Sequence, residues 1–271
     1  MSTHSPADMR KVTITSLQAQ KAAGEKIAVI AAYDASFASL IEQAGVEVIL
    51  VGDSLGMVLQ GHDSTLPVTI DDMVYHTQCV SRGCSKPLII GDLPFGSYNT
   101  KEQALTNATA LMQAGAHMVK LEGGEWLLDS ISAMHERGIP VCAHLGLTPQ
   151  SVNALGGFKV QGRDSTQAKA ILEDAKKVEQ AGANLLVMEC IPTALGKEIS
   201  QALSIPVIGI GAGPGTDAQV LVLHGLLGLT GHGVRFVHNF MGGQASIPDG
   251  LKAFVDAVKS GTYPLEEHSY R

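Results

Sequence analysis

The most constraining feature of this chain is a repeated alternation. A short apolar run ends at a polar residue or a glycine, and a helical stretch follows. The runs are Ile27–Ala32, Glu47–Val51, Pro87–Gly91, His117–Leu121, Pro140–Ala143, Asn184–Met188, Pro206–Ile210 and Gln219–Leu223. They are near-continuously hydrophobic rather than alternating, the pattern of parallel strands covered on both faces. Three of the intervening stretches close on one signal: Gln43-Ala44-Gly45, Gln113-Ala114-Gly115 and Gln180-Ala181-Gly182. A glycine just past a helix end supplies the positive φ of a C-cap. Eight such units in about 240 residues favour a closed (β/α)8 TIM barrel, with an open doubly wound sheet as the runner-up.

Residues 11–24 read as a short N-terminal helix that could plug the barrel's bottom, and Ile247–Ser260 as an extra amphipathic helix after the eighth unit. Two connections are long, Leu55–Ile70 after the second strand and Gly146–Thr166 after the fifth. Long loops after barrel strands usually form functional walls or lids. No linker or low-complexity stretch interrupts the pattern, so residues 1–271 are expected to form one domain, with 1–10 flexible.

Charge narrows the function classes. Lys plus Arg is 19, Asp plus Glu is 26, and the net charge of −7 opposes a nucleic-acid surface. Charged residues are only 17%, against about 25% ordinarily, which points to surface covered by other subunits. No run approaches about 18 apolar residues, so no membrane span is expected. The polar Met1–Arg10 has no apolar stretch behind it, so no signal peptide is expected. Cys79, Cys84, Cys142 and Cys190 form no CxxC or disulfide framework, which fits a reducing, cytoplasmic compartment.

Barrel active sites lie at the C-terminal ends of the strands. The exits here carry Tyr33-Asp34, Asp53-Ser54, Asp92, Lys120 with Glu122, His144, Glu189 and the run Gly209–Gly213. Period-two reasoning groups Ile49, Val51 and Asp53 on one face, and Met118, Lys120 and Glu122 on another. Cys142 pairs with His144, and Val187 with Glu189. If these faces point inward, several carboxylates, one lysine and one histidine share one mouth.

Each residue also has a plainer reading. Asp53 can cap a helix or turn, Asp92 can sit in a turn, and Glu122 can be a solvated loop residue. His144 can be a satisfied core histidine, and Lys120 can simply pair with Glu122. The coincidence decides between them. Several buried carboxylates at one rim repel unless they share a cation, and an all-oxygen set suits Mg²⁺ better than zinc. Asp53 and Asp92 are the expected direct ligands, with Glu122 direct or through water. Asp71-Asp72 after Thr69 reads as a capping box. Gly209–Gly213 lacks dinucleotide-binding spacing and could let a substrate approach the backbone. His224, His232 and His238 read as structural or surface residues.

The exits lie inside longer stretches. These are Ala32–Ala38, Val51-Gly52-Asp53-Ser54-Leu55-Gly56-Met57 through Gly61–Pro67, Asp92–Phe95, Val119–Trp126, His144–Asn153, Met188-Glu189-Cys190, Ile205–Gly213 and Glu266–Ser269. In these segments, spread over residues 12–269, the chain resembles the ketopantoate hydroxymethyltransferase (3-methyl-2-oxobutanoate hydroxymethyltransferase) family. The resemblance weakens at 161–168 and 230–246. It implies a (β/α)8 barrel, Mg²⁺, and one-carbon transfer from 5,10-methylenetetrahydrofolate to 3-methyl-2-oxobutanoate, giving 2-dehydropantoate on the pantothenate and coenzyme A route. It further implies metal ligands at Asp53, Asp92 and Glu122, oxo-acid contacts at Asp53, Ser54, Asp92 and Lys120, a substrate-pocket histidine at His144, and a catalytic base at Glu189. A large homo-oligomer, often a decamer, is also implied. The competing expectations are a metal-dependent lyase or aldolase acting on a 2-oxo acid without folate, a Schiff-base aldolase using Lys120, and a non-catalytic binding barrel.

Overall fold

The computed structural model describes residues 10–230 and 234–271. The strands are β1 Ile27–Ala31, β2 Val48–Val51, β3 Leu88–Asp92, β4 Met118–Glu122, β5 Val141–Gly146, β6 Leu185–Glu189, β7 Val207–Ile210 and β8 Ala218–Val222. All neighbours pair in parallel, and β8 pairs back to β1, so the sheet closes. Each expected run overlaps one strand. The closed (β/α)8 barrel is therefore the fold, and the open sheet is excluded. The expectation of a flexible 1–10 falls outside the described residues, except for Arg10. Among the described residues, no helix is long and apolar enough to cross a membrane.

The core has two shells. The inner one holds Ile27, Val29, Ala31, Val48, Leu50, Leu88, Ile90, Met118, Cys142, Leu185, Val187, Ile208, Ala218 and Val220. The outer shell lies between barrel and helices and includes Ile30, Ile49, Val51, Ile89, Val119, Leu121 and Val207. The inward faces of β4, β5 and β6 are those read from the sequence. That of β2 is not: Ile49 and Val51 face the helices, while Val48 and Leu50 face the barrel interior.

Local chemistry starts the helices. Asp34 accepts the Phe37 N–H, Thr100 that of Gln103, Asp164 those of Thr166 and Gln167, and Ser246 that of Asp249. Each satisfies a backbone donor that the first turn leaves open. Asp34 at the β1 exit is thus a helix cap. Thr69 and Asp72 form the expected capping box, opening Ile70–Gly83. Gly45, Gly115 and Gly182 all have positive φ at the helix ends.

The N-terminal helix is Ile14–Ala23. Leu17 and Val12 join the inner shell, so this segment closes the barrel's bottom. Full burial of a leucine contributes about 1.5–3 kcal/mol. Lys21 fixes the helix by donating to Asp217 Oδ2 and to the Ser200 carbonyl, both at 2.8 Å.

The regular rhythm of eight strand–helix units breaks twice. Only seven residues join β7 to β8, and they contain no helix. After β8 comes a four-residue helix, Leu223–Leu226. The C-terminal helix Ile247–Ser260 is present as expected, and it packs on β1 and on the helix Ala35–Ala44. It covers the place in the outer ring that the short Leu223–Leu226 leaves bare.

Candidate active site

Register places the charged residues. Asp92 on β3 is the partner of Lys120 on β4, and Glu122 is the partner of His144 on β5. Neighbouring parallel strands lie about 4.8 Å apart, so these side chains meet without any special loop. Lys120 Nζ donates to both Asp92 oxygens, at 2.7 and 2.6 Å, and to Glu122 Oε1 at 3.2 Å. His144 extends the chain of charges: Nδ1 lies 3.2 Å from Glu122 Oε1 and Nε2 lies 3.3 Å from Glu189 Oε2. Neither nitrogen is aligned as a hydrogen bond, so both are charge contacts. Lys120, Asp92, Glu122 and His144 are buried, and the Glu189 side chain is 14% exposed at the rim.

Asp53 arrives differently. β2 ends at Val51, and a tight turn follows, with the Leu55 N–H bonded to the Gly52 carbonyl and that of Gly56 to Asp53. By strand periodicity Asp53 belongs with the outward Ile49 and Val51. The turn re-aims it into the mouth, where its N–H donates to Asp92 Oδ2 at 3.2 Å. Beside it, the Ser54 and Tyr33 hydroxyls are 2.8 Å apart.

The loop after β5 supplies a residue that strand-exit reasoning missed. Gln150 is buried, its N–H donates to Glu122 Oε2 at 3.0 Å, and its amide donates to Asp53 Oδ2 at 2.8 Å. Tyr98 donates its hydroxyl to the Gln150 amide oxygen. Gln150 lies in the stretch His144–Asn153 but carries no charge and sits on no strand, so neither charge nor periodicity singles it out.

The charges are unbalanced. Burial pushes the Asp53 carboxyl well above the usual range, and Asp92 and Glu122 push it further. Burial likewise raises Asp92, against the pull of Lys120. Burial would also raise Glu122, but Lys120 and His144 hold it down to about 2. Burial lowers Lys120, yet Asp92, Glu122 and Asp53 outweigh it and hold the amine well above its ordinary value. Burial lowers His144, but Glu122 and Glu189 outweigh it and lift the imidazole to about 9. Three buried carboxyl groups thus share two cationic groups, Lys120 and, below about pH 9, His144.

Oxygens of Asp53, Asp92 and Glu122 all lie within 4.8 Å of one another. An all-oxygen donor set with excess negative charge fits a hard divalent cation. The glycines of Gly209–Gly213 are accounted for by internal packing. A Cβ on Gly209 would strike Thr216, one on Gly211 Phe236 and Tyr270, and one on Gly213 Thr193. These glycines let the protein's own segments pack. His238 lies in a cluster with Phe240, Tyr263 and His268, His224 lies beside Tyr33, and His232 lies outside the described residues.

Fold and site together define a (β/α)8-barrel enzyme with a buried acidic triad, a lysine and a histidine at the C-terminal mouth. The chain belongs to the ketopantoate hydroxymethyltransferase family, whose model matches residues 11–266. It is 59% identical over 263 residues to the 3-methyl-2-oxobutanoate hydroxymethyltransferase of Shewanella sediminis, covering 97% of this chain and 100% of the relative. It is 58% identical over 261 residues to the protein of that name from Marinobacter nauticus, covering 96% and 99%. Among solved structures, a phosphonopyruvate hydrolase in complex with oxalate and Mg²⁺ shares the fold, with a TM-score of 0.61 at 15% identity, covering 90% of this chain and 95% of that one.

Proposed function

We propose that this enzyme transfers a hydroxymethyl group from 5,10-methylenetetrahydrofolate to 3-methyl-2-oxobutanoate, giving 2-dehydropantoate in pantothenate biosynthesis. The observation that carries the assignment of roles is the continuous run of charged side chains Asp92–Lys120–Glu122–His144–Glu189, spanning the exits of β3 to β6. Its two ends divide the labour.

Asp53, Asp92 and Glu122 would hold Mg²⁺. When bound there, the ion supplies Lewis acidity toward the 2-oxo acid's oxygens. The chain's own residues do the rest. Glu189, at the open rim, is the base that takes the C3 proton of the oxo acid. His144 beside it holds positive charge against the carboxylate and steadies its orientation. Lys120, kept protonated by its three carboxylate neighbours, offsets negative charge that develops on the oxo acid. The same protonation disfavours a Schiff-base role, which needs a neutral amine. The Ser54 hydroxyl, 2.8 Å from that of Tyr33, would donate to the substrate carboxylate. The loops Leu55–Ile70 and Gly146–Thr166 are the proposed wall for folate.

We also take the chain to be one domain, acting in the cytoplasm as a large homo-oligomer such as a decamer. Its sparse charge and the exposed Tyr75, Phe95 and Trp126 support covered surface.

The test is exchange of the C3 hydrogen of 3-methyl-2-oxobutanoate in D₂O, followed by NMR without folate. Exchange is expected to need the divalent ion. Glu189→Gln is expected to abolish exchange while Mn²⁺ binding persists. Exchange that survives in Glu189→Gln overturns the assignment of the base.

A further inference from the structure

We infer that Gln150 is a positioning residue that sets the spacing of the Asp53 and Glu122 carboxylates for a divalent ion. The inference rests on the reading that those carboxylates hold a metal.

Two carboxylates from distant parts of the chain meet at this one residue. Its backbone N–H donates to Glu122 Oε2 at 3.0 Å, and its side-chain nitrogen donates to Asp53 Oδ2 at 2.8 Å. The second amide hydrogen goes to the Leu93 carbonyl at 3.0 Å, on the segment that leaves β3 just after Asp92. An amide offers two N–H donors and one carbonyl acceptor. Here both donors face acceptors and the oxygen faces the Tyr98 hydroxyl. Flipping the amide would turn its oxygen toward two acceptors, so the surroundings fix its orientation.

The backbone is fixed as well. Gln150 sits in the short 3₁₀ turn Pro149–Ser151, whose proline presets the first φ. The loop is tied to β6 by the Leu147 N–H, which donates to the Glu189 carbonyl at 2.8 Å. At Gly146, with φ +90°, a Cβ would come within 2.3 Å of the same carbonyl. Tyr98 is held in turn by Trp126, whose ring stacks on it at 5.8 Å with 16° between planes. Gln150 therefore touches two of the three triad carboxylates from a fully satisfied site. Groups that orient metal ligands in this way typically change metal affinity about 10–100-fold when removed.

The experiment is a titration of metal-free protein with Mn²⁺ alone, reading the free-ion EPR signal, alongside melting of the same samples without metal. Gln150→Met keeps the length of the side chain and removes the amide. It is expected to weaken Mn²⁺ binding about 10–100-fold. Tyr98→Phe removes the anchor of the amide oxygen, together with two longer contacts of the hydroxyl to the Glu122 backbone at 3.4 Å, and is expected to weaken binding by less, in the same direction. The double variant is expected to lose less than the two single losses combined, because the shortest bond of the Tyr98 hydroxyl is the one to Gln150. A wild-type protein that binds no Mn²⁺ overturns the metal reading itself. Wild-type-like affinity in Gln150→Met, or additive losses in the double variant, overturns only the role of Gln150. A melting loss in Gln150→Met without an affinity loss also overturns it. If Gln150→Met does not fold, undiminished affinity in Tyr98→Phe overturns the role instead.

Discussion

Replacing Lys120 by Met tests the charge balance directly. Lys120 makes contacts of 2.6–2.7 Å with Asp92 and 3.2 Å with Glu122, at an almost fully buried position. Unit charges at those separations attract by about 5–6 kcal/mol each at an effective dielectric of about 20, but desolvation of the lysine offsets much of that. Removing one partner of a buried ion pair costs about 3–5 kcal/mol net, because the carboxylates stay behind unpaired. For a chain of this length 1 kcal/mol moves the melting temperature about 3 °C, so metal-free Lys120→Met should melt about 9–15 °C below wild type at pH 8. Two controls belong to the same assay, differential scanning fluorimetry with EDTA or with excess Mg²⁺. The loss should shrink toward pH 5, since Asp53 and Asp92 already lie high and rise further without the lysine, so they protonate readily. Added Mg²⁺ should raise the variant's melting temperature more than the wild type's, because the ion relieves more repulsion there. A metal-free variant that melts within about 2 °C of wild type at pH 8 would refute the view that Lys120 balances three buried carboxylates.

His144 gives the opposite pH signature. Its folded pKa, near 9, lies above that of a free imidazole, so its contribution to stability is complete below about pH 6.5 and fades as pH rises through 9. In EDTA, the wild type should lose melting temperature over that window more steeply than His144→Gln; parallel curves would remove His144 from the account. Two glycines separate backbone strain from packing. Gly45→Ala places a Cβ in open space at φ +88°, whereas Gly182→Ala, at φ +110°, places it 2.5 Å from the His135 ring. The first should cost about 1–2 kcal/mol and the second clearly more by urea denaturation, and equal losses would show that the His135 contact does not matter.

The comparison of residues with structure divides along physical lines. Every strand was legible, because a parallel strand buried on both faces must be apolar throughout, and eight such runs stand out. Lys120, Glu122, His144 and Glu189 were legible with their facing, because they continue the period of regular strands whose inner residues point into the barrel. The C-terminal helix was legible to the residue, since Ser246 and Gly261 cap its two ends. Asp53 was legible as a site candidate but not its aim, which depends on a turn that cancels the strand's alternation.

Local periodicity, capping and the need to bury apolar surface thus determined the barrel, its order of strands and the charged residues at its rim. Only the tertiary structure decided the remainder. It left the link from β7 to β8 without a helix and set Ile247–Ser260 against β1. It turned the glycines of 209–213 to internal packing, and it made an uncharged loop residue, Gln150, the meeting point of two carboxylates from distant parts of the chain. These features depend on which distant segments come within 3 Å of each other, and a contact between residues 97 positions apart leaves no period in the sequence to read.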